Sequence, residues 1–312
     1  MTDRAWIGGH NNNRISSPSN WSVRGSLQPG DRLTATHGTI NIQGDQLPDS
    51  ATLTITGPTT VNVDNAWGDA LFLISSATLN LSYSSGTDVA FLLPYQSHVV
   101  VNAHGWNFAD FHATSRFSAG DIIVNNDGTL IGGFSPSATD VAINGGTFVN
   151  TTSTAGFDGQ MSFINADVVG PGEFYVTSFH SPGRGTLEFT RAVGSGQTVH
   201  MQSGVGFSVL EVDRPDLFKA AISWESERAV VDLNGLAADS YTYDRVTNTL
   251  SLYNGSQVAD TLRISTPTPE FATFTVSQGT SAGGPGIEIH SPGQFANERF
   301  GPELPQHVPA LV

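Results

Sequence analysis

Cysteine is absent from this chain of 312 residues. Disulfides, thiolate metal sites and a cysteine nucleophile are thereby excluded. Lysine is nearly absent too: Lys219 stands alone, and the arginines are scattered singly from Arg4 to Arg299. With a formal charge of −15 the chain has little with which to neutralise a row of phosphates. Nucleic acid is excluded as a partner on that ground, and an anionic membrane surface is an equally poor one. No apolar run is long enough to cross a bilayer, so membrane insertion is not expected. The opening Met1-Thr2-Asp3-Arg4-Ala5-Trp6 lacks the apolar stretch of a cleavable signal. The expectation is export by a route without an N-terminal signal, or from a chain already trimmed.

Glycine is abundant, at 34 residues, while charged residues make up only 13 %. That balance suits tightly turned β-structure with a Ser, Thr and Asn surface. One unit recurs almost verbatim. Val124-Asn125-Asn126-Asp127-Gly128-Thr129-Leu130-Ile131 is followed by Ile143-Asn144-Gly145-Gly146-Thr147-Phe148-Val149-Asn150. Each copy is a short apolar run, an Asn/Gly corner, a Gly-Thr step and a second apolar run. A unit so small cannot bury its own apolar face, and it gains stability only by stacking on copies of itself.

From Leu33 to about Ile222, runs such as Thr52–Thr56, Thr78–Tyr83, His98–Asn102 and Thr186–Thr190 alternate apolar and polar residues at period two. Gly-Pro, Asn-Gly and Asp-Gly corners separate them. No helical period is sustained over three turns, although Asp213–Ala221 has room for one short helical turn. The predicted fold is all-β: a right-handed parallel β-solenoid with coils of roughly twenty residues. A sandwich or an up-and-down barrel would require more tight hairpins. Four segments are expected: an N-terminal cap (1–32) built on Trp6 and Trp21, the solenoid (33–225), a small antiparallel β module (226–290) and a flexible tail (291–312). Asn254-Gly255 is the strongest hairpin signal in the module.

Several segments carry a resemblance. They are Gly194–Val199, Leu217-Phe218, Ala221-Ile222, Asp232-Leu233, Tyr241–Tyr243, Leu250–Leu252, Leu262–Ile264 and Phe274–Val276 with Gly283-Gly284. In that order they resemble a module of large bacterial exported and surface proteins, namely autotransporter-passenger-like and adhesin-like β-solenoids. The opening Trp6…Asn20-Trp21-Ser22…Pro29-Gly30-Asp31 looks like their capping segment. Together these stretches cover roughly two fifths of the chain. The resemblance implies a secreted or cell-surface scaffold, adhesin or matrix (biofilm) component. It carries over no catalytic residue.

Two clusters have the composition of a ligand site. Asp64 and Asp69 flank Trp67, an acid pair beside a ring on which a sugar can stack. His104, Trp106, Asp110 and His112 place two imidazoles, a carboxylate and an indole within nine residues, in what reads as an irregular, aromatic-rich loop. The spacing of the two histidines does not match a zinc pair, so no metal is assigned. Corner aspartates Asp127 and Asp158 offer calcium only a weak site. No Gly-x-Ser-x-Gly elbow is present.

The function expected first is therefore a non-enzymatic structural or adhesive solenoid, self-associating or bound to cell-surface glycan, with no cofactor. Two alternatives share the scaffold. One is a polysaccharide lyase or glycosidase with Asp64, Asp69, His104 or Asp110 along one groove; the other is a phage tailspike-like trimer.

Overall fold

The structure is a computed structural model. It describes residues 2–9, 13–28, 31–43, 52–55, 59–64, 70–74, 76–82, 89–93, 98–104, 106–113, 121–126, 129–135, 140–150, 153–154, 160–178, 184–202, 204, 206–266, 274–279, 285–290 and 302–306. The fold is a β-solenoid, as its sequence predicts. The 3₁₀ turns that lie wholly within the described residues are Pro18–Asn20 and Pro215–Leu217. The chain divides into two compact units, Met1–Thr151 and Thr152–Val312, and both contain stacked parallel strands. That division falls inside the stretch whose sequence reads as one solenoid.

In the first unit, one sheet is formed by β1 (Asp3–Ala5), β2 (Arg32–Ala35), β4 (Thr52–Ile55), β6 (Ala70–Ile74), β8 (Val89–Leu93), β10 (Trp106–Ala113), β12 (Thr129–Ser135) and β14 (Thr147–Asn150). A second is formed by β3 (Gly38–Gln43), β5 (Thr59–Asp64), β7 (Ser76–Ser82), β9 (His98–His104), β11 (Asp121–Asn126) and β13 (Asp140–Asn144). Each coil lays one strand in each sheet. The recurring unit is two stacked rungs: Val124 pairs with Ile143, Thr129 with Thr147 and Leu130 with Phe148. Period-two alternation sends Ile40, Ile42, Leu53, Ile55, Val61, Ile143 and Phe148 inward, each at most 2 % exposed. One register row of the first sheet reads Leu33, Leu53, Phe72, Phe91, Phe111, Phe134.

Between the inward positions of the second sheet runs a row of six asparagines: Asn41, Asn62, Asn80, Asn102, Asn125 and Asn144. Three bonds between described amides run along the stack. Asn62 Nδ2 donates to Asn41 Oδ1 (2.7 Å), Asn125 to Asn102 (3.0 Å) and Asn144 to Asn125 (3.3 Å). The bonded pairs are 21, 23 and 19 residues apart, which measures the coil. Each bond adds about 0.5–1.5 kcal/mol net and pins the register of a strand.

Trp6 and Trp21, on which the sequence places a cap, are in contact. β1 adds in parallel to β2, and Trp6 meets Trp21 edge-on with centroids 5.0 Å apart. Beneath them lies a buried ion pair: Arg4 Nε donates to Asp31 Oδ2 at 2.9 Å, with side chains 5 % and 1 % exposed. The remaining Arg4 donors reach the carbonyls of Val23, Gly25 and Ser26. The N–H groups of Thr2 and Gln28 donate to Asp31. Burial alone would raise the Asp31 carboxyl; those two N–H groups and the Arg4 charge outweigh it and hold it below its ordinary value.

The second unit makes its turns around three stacks. One runs through β16 (Gln160–Ile164), β19 (Arg184–Phe189), β21 (Phe207–Val212) and β23 (Ala229–Asn234). Another runs through β15 (Ser153–Thr154), β18 (Glu173–Val176), β20 (Thr198–Gln202), β22 (Ala221–Glu225) and the end of β26 (Gln257–Ser265). The third is a corner where Val168, in β17 (Asp167–Val169), pairs with Val193 and Val193 with Phe218. Phe163, Phe174 and Phe189 fill the centre, with centroids 5.2–5.6 Å apart and each side chain at most 1 % exposed. Each such phenylalanine contributes about 1.5–3 kcal/mol by leaving water.

Beyond β23 the pairing turns antiparallel. β24 (Ser240–Asp244) and β25 (Thr249–Asn254) continue the sheet ending in β26, and β27 (Thr275–Gly279) and β28 (Gly286–His290) continue the one ending in β23. Asn254-Gly255 forms the predicted hairpin corner, with Gly255 at φ +61. Gly286 is required for a different reason: a Cβ there would collide with the Leu233 carbonyl oxygen. Residues 302–306 fall in the stretch expected to be a flexible tail, yet they bond to both β24 and β27.

Candidate functional site

The residues singled out in the sequence are distributed over two sheets. Asp64 ends β5 and His104 ends β9, in one register row that also holds Gln43 and Ser82. Two strand spacings, about 9.6 Å, separate Asp64 from His104. Trp106, Asp110 and His112 belong to β10 in the other sheet. Trp67, Asp69, Asp127 and Asp158 lie outside the described residues. The aromatic-rich segment is not an irregular loop: Trp106–Ala113 is a regular strand. It pairs in parallel with β8 on one side and β12 on the other, and Ala109 and Asp110 face Gly132 and Gly133 of β12. Backbone pairing on both edges outweighs the mixed side-chain pattern that suggested a loop.

A denser polar cluster lies on the second unit, where β18, β20 and β22 stack. Alternation puts Phe174, Val199, Met201, Ile222 and Trp224 inward, all fully buried. It leaves Glu173, Tyr175, Thr198, His200, Gln202, Ser223 and Glu225 on the opposite side. Tyr175 and His200 are register partners and stack face to face, centroids 4.4 Å apart and 7° from parallel. His200 Nδ1 lies 2.7 Å from Glu225 Oε1, and Ser223 Oγ donates to the same oxygen at 2.7 Å. Tyr175 Oη donates to Glu173 Oε2 at 2.6 Å. The other ring nitrogen, His200 Nε2, faces Glu173 Oε1 at 3.9 Å, beyond hydrogen-bond reach.

Burial pushes the Glu225 carboxyl up. The hydrogen bonds from His200, Ser223 and Gln202 and the His200 charge outweigh it and leave it below its ordinary value. Glu225 is therefore an acceptor at neutral pH, which places the proton of the short contact on His200 Nδ1. The order of groups matters chemically. A nucleophile needs a base whose pKa lies near the working pH, with a third group orienting that base. Here the carboxylate stands between serine and imidazole, and its depressed pKa makes it a poor base for Ser223, itself 8 % exposed. The cluster presents hydrogen-bond donors and acceptors side by side on one sheet face.

A row of carboxylates occupies another sheet of the same unit. Glu188 pairs with Glu211, Glu211 with Asp232 and Asp232 with Glu288. Burial pushes the Glu211 carboxyl above its ordinary value, and the charges of Glu188, Asp232 and Asp213 add to this against the pull of Arg184. Among the described residues, no group of three or more His, Asp or Glu side chains is placed to hold a metal ion.

Compared with protein-family models and with curated proteins, the chain matches neither. No motif announces the Glu173–Glu225 cluster. Its members are drawn from three strands on successive coils, and only the stacking register brings them together.

Proposed function

We propose that this protein is an exported, non-catalytic β-solenoid of the bacterial surface or extracellular matrix. On this reading it holds neutral glycan on the sheet face carrying Glu173, Tyr175, His200, Gln202, Ser223 and Glu225. The observation that carries the proposal is the hydrogen-bond order Ser223–Glu225–His200 beside the stacked Tyr175. Carboxylate, amide and hydroxyl groups fixed on a flat sheet are the acceptors and donors that sugar hydroxyls match, and an aromatic edge adds apolar contact. The acidic composition supports the same reading, since it disfavours polyanionic ligands over neutral ones. The resemblance to surface solenoids supports export.

Retention on neutral polysaccharides, such as cellulose, chitin and dextran, tests the reading. The expected result is binding to at least one of them, weakened about tenfold by Glu173→Gln or Tyr175→Ala, about what one good hydrogen bond or ring contact is worth. No soluble sugar should be released. Absence of retention across a broad glycan panel overturns the adhesive reading. Release of reducing ends or unsaturated sugars, abolished in His200→Ala, overturns the non-catalytic one.

A further inference from the structure

Among the described residues, the end strands of two sheets lie in the antiparallel part of the second unit. β24 is the last strand of the sheet that runs through β26 and β25, and β27 is the last strand of the sheet that runs through β23 and β28. An edge strand exposes a row of N–H and C=O groups and is a template for another chain. Residues 302–306 occupy both edges at once. Gln278 N–H donates to the Pro302 carbonyl (3.0 Å), Leu304 N–H to that of Val276 (2.7 Å) and Tyr241 N–H to that of Pro305 (3.1 Å). Glu303 pairs antiparallel with Ser277, and Gln306 pairs parallel with Tyr241.

This segment is attached through its backbone: Pro302, Glu303, Pro305 and Gln306 are exposed, and only Leu304 is half-buried. Two of its five residues are prolines, which lack the N–H a further strand would need, and the Leu304 N–H is already engaged inward. It therefore closes both edges without offering a good new one. We propose that residues 302–306 are a built-in plug over a strand-accepting edge, and that when the plug is displaced the edge takes β24 of a second copy of this chain. β24 reads Ser-Tyr-Thr-Tyr-Asp, rich in strand formers, and two copies meeting antiparallel give a self-complementary contact related by a two-fold axis. Eleven residues lie between His290 and Pro302. Three backbone bonds to the plug are few enough for an incoming strand to compete with them.

The inference does not depend on the glycan reading. It is tested by light scattering after size exclusion, across a concentration series, on the full chain and on a chain ending at Gly301. The shortened chain is expected to dimerise at least about tenfold more tightly, a factor comparable to the loss of one competing hydrogen bond. A synthetic peptide of residues 300–307 should return it to monomer. Leu304→Pro in the full chain removes one plug bond without shortening the chain, and should move dimerisation the same way. Tyr241→Pro in the shortened chain removes an outward N–H of β24 and should abolish the dimer. Monomers throughout for both the shortened chain and Leu304→Pro overturn the proposal. So does a dimer that persists with excess peptide or with Tyr241→Pro.

Discussion

Replacing Asp31 by Asn changes one atom of the cap and removes its only buried negative charge beside Arg4. In the native cap the carboxylate takes Arg4 Nε at 2.9 Å together with the N–H groups of Thr2 and Gln28. An amide has one acceptor oxygen, and its NH₂ would face donors rather than acceptors. The guanidinium is left 6 % exposed, with carbonyls for company and no counter-charge. Breaking a buried pair from one side costs about 3–5 kcal/mol, a large share of the 5–15 kcal/mol typical of a folded domain. Urea unfolding followed by near-UV circular dichroism reads the cap directly, because Trp6 and Trp21 are packed against each other. Asp31→Asn should lower the midpoint and weaken the tryptophan signal. The paired replacement Arg4→Met with Asp31→Leu should recover most of the loss, because no charge is then buried alone. The sign with pH is fixed by the depressed carboxyl. The native pair contributes fully above the unfolded carboxylate value of about 3.9 and fades as pH falls through the lower folded value. A cost below about 1 kcal/mol for Asp31→Asn, or an unchanged tryptophan signal, would refute this account of the cap.

Other perturbations give separate readouts. Glu211→Gln removes a carboxyl whose folded pKa is raised, so it should raise the melting temperature at neutral pH. That gain should vanish below about pH 4, where the native group is protonated in both states; an effect independent of pH speaks against charge crowding. Asn125→Ala cuts the amide row at its bonds to Asn102 and Asn144, and should cost about 1–2 kcal/mol in urea unfolding. A neutral result would make the row ornamental. Gly286→Val forces a side chain against the Leu233 carbonyl and should cost about 1–3 kcal/mol, with faster hydrogen exchange in β28 and β23.

The stacking was legible because the unit at Val124–Ile131 and Ile143–Asn150 repeats both its apolar runs and its corner, and those runs became paired rungs. The asparagine row was also written in the chain, as Asn between apolar neighbours in Ile40-Asn41-Ile42, Val61-Asn62-Val63 and Leu79-Asn80-Leu81. It escaped a fixed-period reading because coil length drifts between bonded members. Trp6 and Trp21 stood out in the sequence and do meet, whereas the Arg4–Asp31 pair had no sequence signature. His200, Glu225 and Tyr175 were invisible as a site for a related reason. Which side chains become neighbours across three coils depends on register, and register is fixed by corner lengths that composition does not reveal. Pro302–Gln306 looked unstructured because its contacts are made by backbone atoms, which leave no trace in side-chain pattern.

From β2 onward, each parallel strand of the first unit bonds to one roughly twenty positions away, so no rung there has to wait for a remote part of the polypeptide. Native contacts of short sequence separation close quickly. A nascent chain leaving a ribosome can therefore add one finished layer after another, beginning at Trp6 and Trp21. Within the second unit the antiparallel strands follow the parallel ones in sequence, so the parallel rungs there are made before the strands that pair with β23 and β26.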